Sequence, residues 1–226
     1  MLATSWLERL HEWDEAGFYV ITRTLRNPIF DLLMPFITDK WNFVLPAAAL
    51  LGYVLLFRPK RDRIIALAAI AVILLADETS QLLKDLFERT RPFHPLRDLT
   101  RPVSFSFPSN HASNTFALAT FLSYNYSRSG WLCFPAAVLV GYSRVYVGSH
   151  YPFDVVGGAL WGILIGLLGV TVVRYVMRIV GIDATGNARD NKTSRPTNPI
   201  RFSSCLRSAT MSGQQIRLTS LSHGAG

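Results

Sequence analysis

Five runs of apolar residues follow one another between Trp41 and about Val180, covering 41–57, 64 to about 83, 111–126, 131–147 and 152 to about 180. A helix needs about 20 predominantly apolar residues to cross about 30 Å of hydrocarbon. In lipid every backbone polar group must be paired within its own segment, which a helix achieves. Half of the 226 residues are hydrophobic, and they concentrate in these runs. The expected fold is therefore all-α: a polytopic membrane helical bundle with about five spanning helices. Short polar connections at 58–63 and 127–130 make neighbouring helices antiparallel.

The rest of the chain divides around this core. Residues 5–26 mix charges with Trp6, Leu7, Leu10, Trp13, Phe18, Tyr19 and Ile21, the pattern of an amphipathic helix lying among lipid headgroups. Asn27-Pro28 opens a second piece, 29–38, too short to span alone. We therefore expect N-terminal interfacial helices over 1–40, a transmembrane core over 41–182 and a disordered basic tail over 183–226, where Ser, Thr, Asn and Arg replace the apolar pattern. Glu8, Glu12, Asp14 and Glu15 break the N-terminus before an apolar core forms, which argues against a secretory signal. Cys133 in an apolar run and Cys205 in the tail make no disulfide framework. The formal charge of +8 follows from basic loops and the tail, and with no separate basic domain it does not indicate nucleic acid.

Three polar patches interrupt the apolar pattern, each at the end of a run. They are Lys84–Pro92 (KDLFERTRP), Pro108–His111 (PSNH) and Tyr142–Asp154 (YSRVYVGSHYPFD). Alternating spans bring all three to the same membrane side. The other side carries Arg58, Lys60, Arg61, Arg63, Arg128, Arg174, Arg178 and the tail. The positive-inside rule makes that side cytoplasmic, so the patches are expected at the extracytoplasmic face of the cell's inner or plasma membrane.

The patches hold the chemistry. Lys84, Arg91 and Arg144 are cations that match phosphate oxygens, the arginines as bidentate forks. Ser109 or Asn110 can cap the third run's helix, and the free N–H groups there form an anion site. His111 is an ionisable residue at the membrane edge. His150 and Asp154 stand four apart with Pro152 between them, a residue suited to the first turn of a helix. This spacing lets the carboxylate take the ring's Nδ1–H and leaves Nε2 as nucleophile or base. A zinc site of two histidines and Asp154 is the weaker alternative, because three cations beside it favour an anion. Ser104, Ser106, Arg97 and Arg101 read as a solvated loop that is able to touch a headgroup, and Asp77 and Glu78 as charges facing the bundle interior or marking a span's end.

These residues resemble the type 2 phosphatidic acid phosphatase (PAP2) superfamily. Its Lys-x6-Arg-Pro appears as Lys84, Arg91 and Pro92, and its Ser-Arg-x5-His-x3-Asp as Ser143, Arg144, His150 and Asp154. Its Pro-Ser-Gly-His appears as Pro108, Ser109, Asn110 and His111. Asn replaces the usual Gly and is the non-glycine residue most tolerant of a left-handed backbone. The resemblance implies a metal-independent phosphatase without cofactor, whose partners are membrane lipids and a lipid phosphate substrate. In it Lys84, Arg91, Arg144, Ser109 and the Asn110 amide hold phosphate, and His150 attacks phosphorus. Asp154 orients His150, and His111 protonates the leaving oxygen. Undecaprenyl diphosphate or a phosphatidic acid-type lipid is the expected substrate. A lipid phosphotransferase such as a lipid A-modifying enzyme is the alternative; a vanadium haloperoxidase and a non-enzymatic phosphate-binding protein rank below it. Nothing in the sequence sets an oligomeric state.

Overall fold

The computed structural model describes residues 2–92 and 104–181, all within one compact unit, Met1–Ala188. Arg97, Arg101, Cys205 and the 183–226 tail lie outside the described residues. Among the described residues seven α-helices follow in order: α1 (Leu2–Tyr19), α2 (Pro28–Thr38), α3 (Trp41–Phe57), α4 (Lys60–Phe87), α5 (Asn110–Asn125), α6 (Gly130–Tyr146) and α7 (Pro152–Ile179). A π-helical turn, Val20–Thr24, extends α1. Each of the five apolar runs is one helix, α3 to α7.

α4 and α7 have 28 residues each and are long and apolar enough to cross a membrane, and α2 with α3, bent by 51°, would together make a third, broken span. α3, α5 and α6 have 16 or 17 residues, which reach roughly 25 Å at 1.5 Å per residue. α4 extends about four residues beyond the apolar run at both ends, so Lys84 sits in its last turn. Polar residues with good helix propensity, such as Lys, Arg, Glu and Gln, continue a helix that apolarity alone would end.

α5 is the central helix, packed against α4, α6 and α7. Ile65, Val72, Ala76, Ala117, Phe121, Ile165, Val170 and Val173 form the buried seam between α4, α5 and α7. On α7, Gly158, Gly162 and Gly166 face α5 so closely that an added Cβ would strike its backbone. At Gly158 it would lie 2.5 Å from the Ser109 carbonyl oxygen, and at Gly166 2.7 Å from that of Ala117. Small residues spaced by four are what permit such an approach. At the far end, the Tyr126 hydroxyl donates to Asp62 (2.9 Å) and Arg61 to the Asn125 carbonyl (2.9 Å), fixing the start of α4 to the end of α5.

The N-terminal helices are attached to this core. Met34 of α2 is buried against Tyr146 and Val147, and the Tyr146 hydroxyl donates to Asp31 at 2.9 Å. On α1, Trp6 and Trp13 are 64% and 69% exposed, which leaves large aromatic surface for a headgroup layer. Asp14 on the same helix is buried.

Candidate active site

The end of α4, the start of α5, the end of α6 and the start of α7 meet at one end of the bundle. Local sequence sets each approach. α6 stops at Tyr146, and Gly148 takes a left-handed φ of 75°. Its N–H donates to Val145 and that of Ser149 to Arg144, at 2.9 and 3.0 Å. Glycine adopts this conformation without a Cβ penalty. The turn delivers His150 two residues before Pro152, which occupies the first position of α7.

Asp154 follows in the first turn of α7. Its Oδ2 accepts the Tyr151 N–H (2.8 Å) and the Ser106 hydroxyl, and lies 3.6 Å from His150 Nδ1. Its Oδ1 accepts from Arg89 at 2.8 Å. On the other side of the ring, Arg91 Nη1 stands 3.3 Å from His150 Nε2. A guanidinium only donates, so Nε2 presents its lone pair and the ring proton belongs on Nδ1, toward Asp154. Burial pushes the His150 imidazole down to about 3; Arg144 and Arg91 reinforce that push and Asp154 opposes it. The ring is neutral at pH 7.

Arg91 is held rigidly. Nε and Nη2 donate to the Ser104 carbonyl and hydroxyl (2.7 and 2.8 Å), and Nη1 to the Ser149 carbonyl (2.9 Å). Arg144 donates to Thr38 at 2.7 Å, bringing α2 to the site. Lys84 is 3% exposed and lies in the fields of Arg91, Asp77, Arg144 and Asp154. His111 lies within the fields of Arg144, His150, Lys40 and Lys84. The Ser109 N–H donates to the Asp154 carbonyl at 3.0 Å, tying α5 to α7. All eight residues singled out from the sequence therefore come to one end of the bundle.

Several details differ from the sequence reading. Ser109 occupies the N-cap position of α5 without a side-chain cap bond, and its buried hydroxyl has no hydrogen-bond partner. Asn110 is the first helical residue and needs no left-handed backbone; Glu88 is the one non-glycine residue with positive φ among those described. The Asn110 and Asn114 side-chain amides instead donate to Asp77 at 3.1 and 2.9 Å, so Asp77 faces α5, while Glu78 is exposed. Ser104 and Ser106 are not a solvated loop: Ser106 is fully buried on Asp154, and Ser104 clamps Arg91. Among the described residues, no three His, Cys, Asp or Glu side chains are placed to hold a metal ion. No spacing in the sequence marks Arg89 or Asp14 as part of the site. Arg89 lies inside KDLFERTRP, but its partners are 65 and 75 residues away, beyond any local spacing.

Fold and site together define a helical membrane protein with a neutral, carboxylate-backed histidine facing a cluster of cations, an arrangement fitted to phosphoryl transfer. Residues 63–178 match the PAP2 superfamily, and the chain belongs to it and is a membrane phosphatase of that type. It is 26% identical to a lipid A 4'-phosphatase of Porphyromonas gingivalis over 92% of this chain and 86% of the relative. It is 30% identical to the undecaprenyl-diphosphatase BcrC of Bacillus subtilis over 63% and 74%. The crystal structure of a PAP2 type phosphatidylglycerolphosphate phosphatase from Bacillus subtilis superposes with a TM-score of 0.61 at 27% identity, covering 75% of this chain and 89% of that one.

Proposed function

We propose that this protein hydrolyses a membrane lipid phosphate or diphosphate, with undecaprenyl diphosphate the first candidate, through a phosphohistidine on His150 and without a metal ion. The observation that carries this is the setting of His150, its Nε2 at 3.3 Å from Arg91 and its Nδ1 toward Asp154. Lys84, Arg91 and Arg144 balance the phosphate charge, and the unpartnered Ser109 hydroxyl supplies a further donor. Nε2 attacks the terminal phosphorus, the P–N bond forms, and its P–O bond to the leaving group breaks, releasing a lipid alcohol from a monophosphate or a lipid monophosphate from a diphosphate. His111 gives its proton to the departing oxygen. His111 then takes a proton from water, whose oxygen attacks phosphorus; the P–N bond breaks, its electron pair returns to Nε2, and phosphate leaves with His150 neutral again. Asp154 balances the charge that the ring carries in between.

The relatives support two lipid classes. The undecaprenyl-diphosphatase favours a polyprenyl diphosphate. The lipid A 4'-phosphatase, matched over 92% of this chain, favours a phosphorylated glycolipid. In our reading α3 to α7 cross the plasma membrane five times, with the site at the extracytoplasmic face and residues 183–226 in the cytoplasm.

Phosphate release from undecaprenyl diphosphate, lipid A and phosphatidic acid by purified protein in detergent with EDTA tests the proposal. Wild type is expected to turn over one of them, and His150→Ala none. His111→Ala should lose about 10²–10⁴-fold in kcat. Activity that EDTA abolishes, or that survives His150→Ala, would refute the mechanism. Release from none of the lipids by folded protein would refute the substrate class.

A further inference from the structure

We infer that Asp14 and Arg89 are positioning residues for the Asp154–His150 pair, making helix α1 a working part of the reaction centre. The inference rests on the phosphohistidine reading above. Arg89 spans two buried carboxylates, donating through Nη2 to Asp14 Oδ2 at 2.6 Å and through Nη1 to Asp154 Oδ1 at 2.8 Å. Asp14 Oδ1 also accepts the Phe153 N–H at 2.8 Å, inside the first turn of α7. The Arg89 guanidinium lies 4.5 Å over the Tyr151 ring, which His11 and Phe18 of α1 also flank. The Arg89 carbonyl takes the N–H of Ser106, whose hydroxyl donates to Asp154. Gly17 admits this approach, since a Cβ there would lie 3.3 Å from the Pro152 ring.

The arrangement solves two problems for Asp154. A carboxylate turns about one bond, and one guanidinium N–H on Oδ1 with two donors on Oδ2 fixes its plane toward His150. A lone guanidinium there would also cancel the negative charge that must balance the ring during attack. Asp14 takes up half of that cation, so Asp14, Arg89 and Asp154 together carry one negative charge. The contacts of Asp14 and Arg89 run to Asp154, Tyr151, Phe153 and Ser106, none of which holds phosphate in the proposed mechanism. Their effect should therefore appear in the chemical step and not in phosphate binding.

The test uses full-length protein in detergent with undecaprenyl diphosphate, lipid A and phosphatidic acid, read on whichever wild type hydrolyses best. Asp14→Asn keeps an oxygen for the Phe153 N–H; Arg89→Gln and the double variant complete a cycle, with orthovanadate as the probe of the phosphate pocket. Each single variant is expected to lower kcat by about tenfold or more, with KM and vanadate inhibition within about twofold of wild type. The double variant should be no slower than Arg89→Gln, because Asp14 acts through Arg89. Arg89→Lys, which keeps the charge and loses the fork, should fall between wild type and Arg89→Gln, and it reads the same split if a neutral variant fails to fold. Unchanged kcat, a parallel loss of vanadate binding, or losses that multiply in the double variant would overturn the inference. Wild type inactive on all three lipids would instead sink the functional reading and the inference with it.

Discussion

At the scale of single residues, the site depends on a histidine kept neutral by burial. Its ordinary pKa is about 6.5, and in the fold it is pushed down to about 3. Between those values the unfolded chain binds a proton at this position that the folded protein does not. Folding stability must therefore rise with pH across that window, and His150 contributes no slope above it. The charges acting on the ring are Arg144, Arg91 and Asp154; only Asp154 favours protonation, and at 3.6 Å from Nδ1 it does not overcome burial. Thermal unfolding in detergent between pH 7 and pH 4 should show the midpoint falling with acid, with a shallower fall in His150→Gln. Equal slopes in the two proteins would mean that the ring is not held neutral. Spacing in the sequence is enough to mark His150, Asp154, Arg144, Lys84 and Arg91 as candidates, because each sits at a fixed offset in its own segment. It is not enough for Asp14, one of four acidic residues in a short stretch: burial singles it out, and only the packing of α1 on α7 creates that burial.

At the scale of elements, the α5–α7 contact sets the distance between the two halves of the site. α5 carries Ser109 and His111 at its start and α7 carries Asp154 at its own, so anything that separates the helices opens the centre. A Cβ at Gly162 would lie 3.0 Å from the Ala117 nitrogen, with other backbone of α5 nearer still, and backbone cannot swing aside. Gly162→Ala should destabilise the protein by about 1–3 kcal/mol through overpacking and lower activity as well. Gly52 is the internal control: nothing lies within 4 Å of its Cβ position, and Gly52→Ala in a helix interior should gain about 0.5–1 kcal/mol. Equal thermal midpoints for the two variants would show that the stripe is not a close contact. Helix positions were legible in the sequence because apolar runs and Pro–Gly punctuation mark them directly. The ends of α4 were not, since polar residues prolong a helix without an apolar signal. The use of Ser104 and Ser106 was hidden for a related reason: a proline-rich stretch reads as loop, and only Arg91 and Asp154 meeting it from other segments make it structural.

At the scale of the whole molecule, the two ends of the bundle are chemically unlike, and this predicts its orientation. One end gathers Lys84, Arg91 and Arg144 inward around the site, with α1 bound to it through Asp14. At the other end Arg58 and Arg61 pair with Asp62, and Arg174 lies over Tyr124 at 5.8 Å. Lys84, Arg89, Arg91 and Arg144 at the first end are engaged by the site, so they weigh less as topology determinants than Arg58, Lys60, Arg63, Arg128 and Arg178, which stand at the second end on short connections or helix termini. Cations on short loops are retained in the cytoplasm. A fluorescent reporter that matures only in the cytoplasm, fused after Gly226, should therefore light up. A periplasm-dependent alkaline phosphatase at the same position should stay inactive. A thiol introduced at exposed Thr90 (Thr90→Cys) should react from outside intact cells with a membrane-impermeant maleimide, in a Cys133→Ala, Cys205→Ala background. The reverse pattern would put the site in the cytoplasm and remove lipids confined to the outer leaflet from its substrates. An active reporter of both kinds would mean that the chain inserts both ways, and that cations inside and outside the site weigh equally.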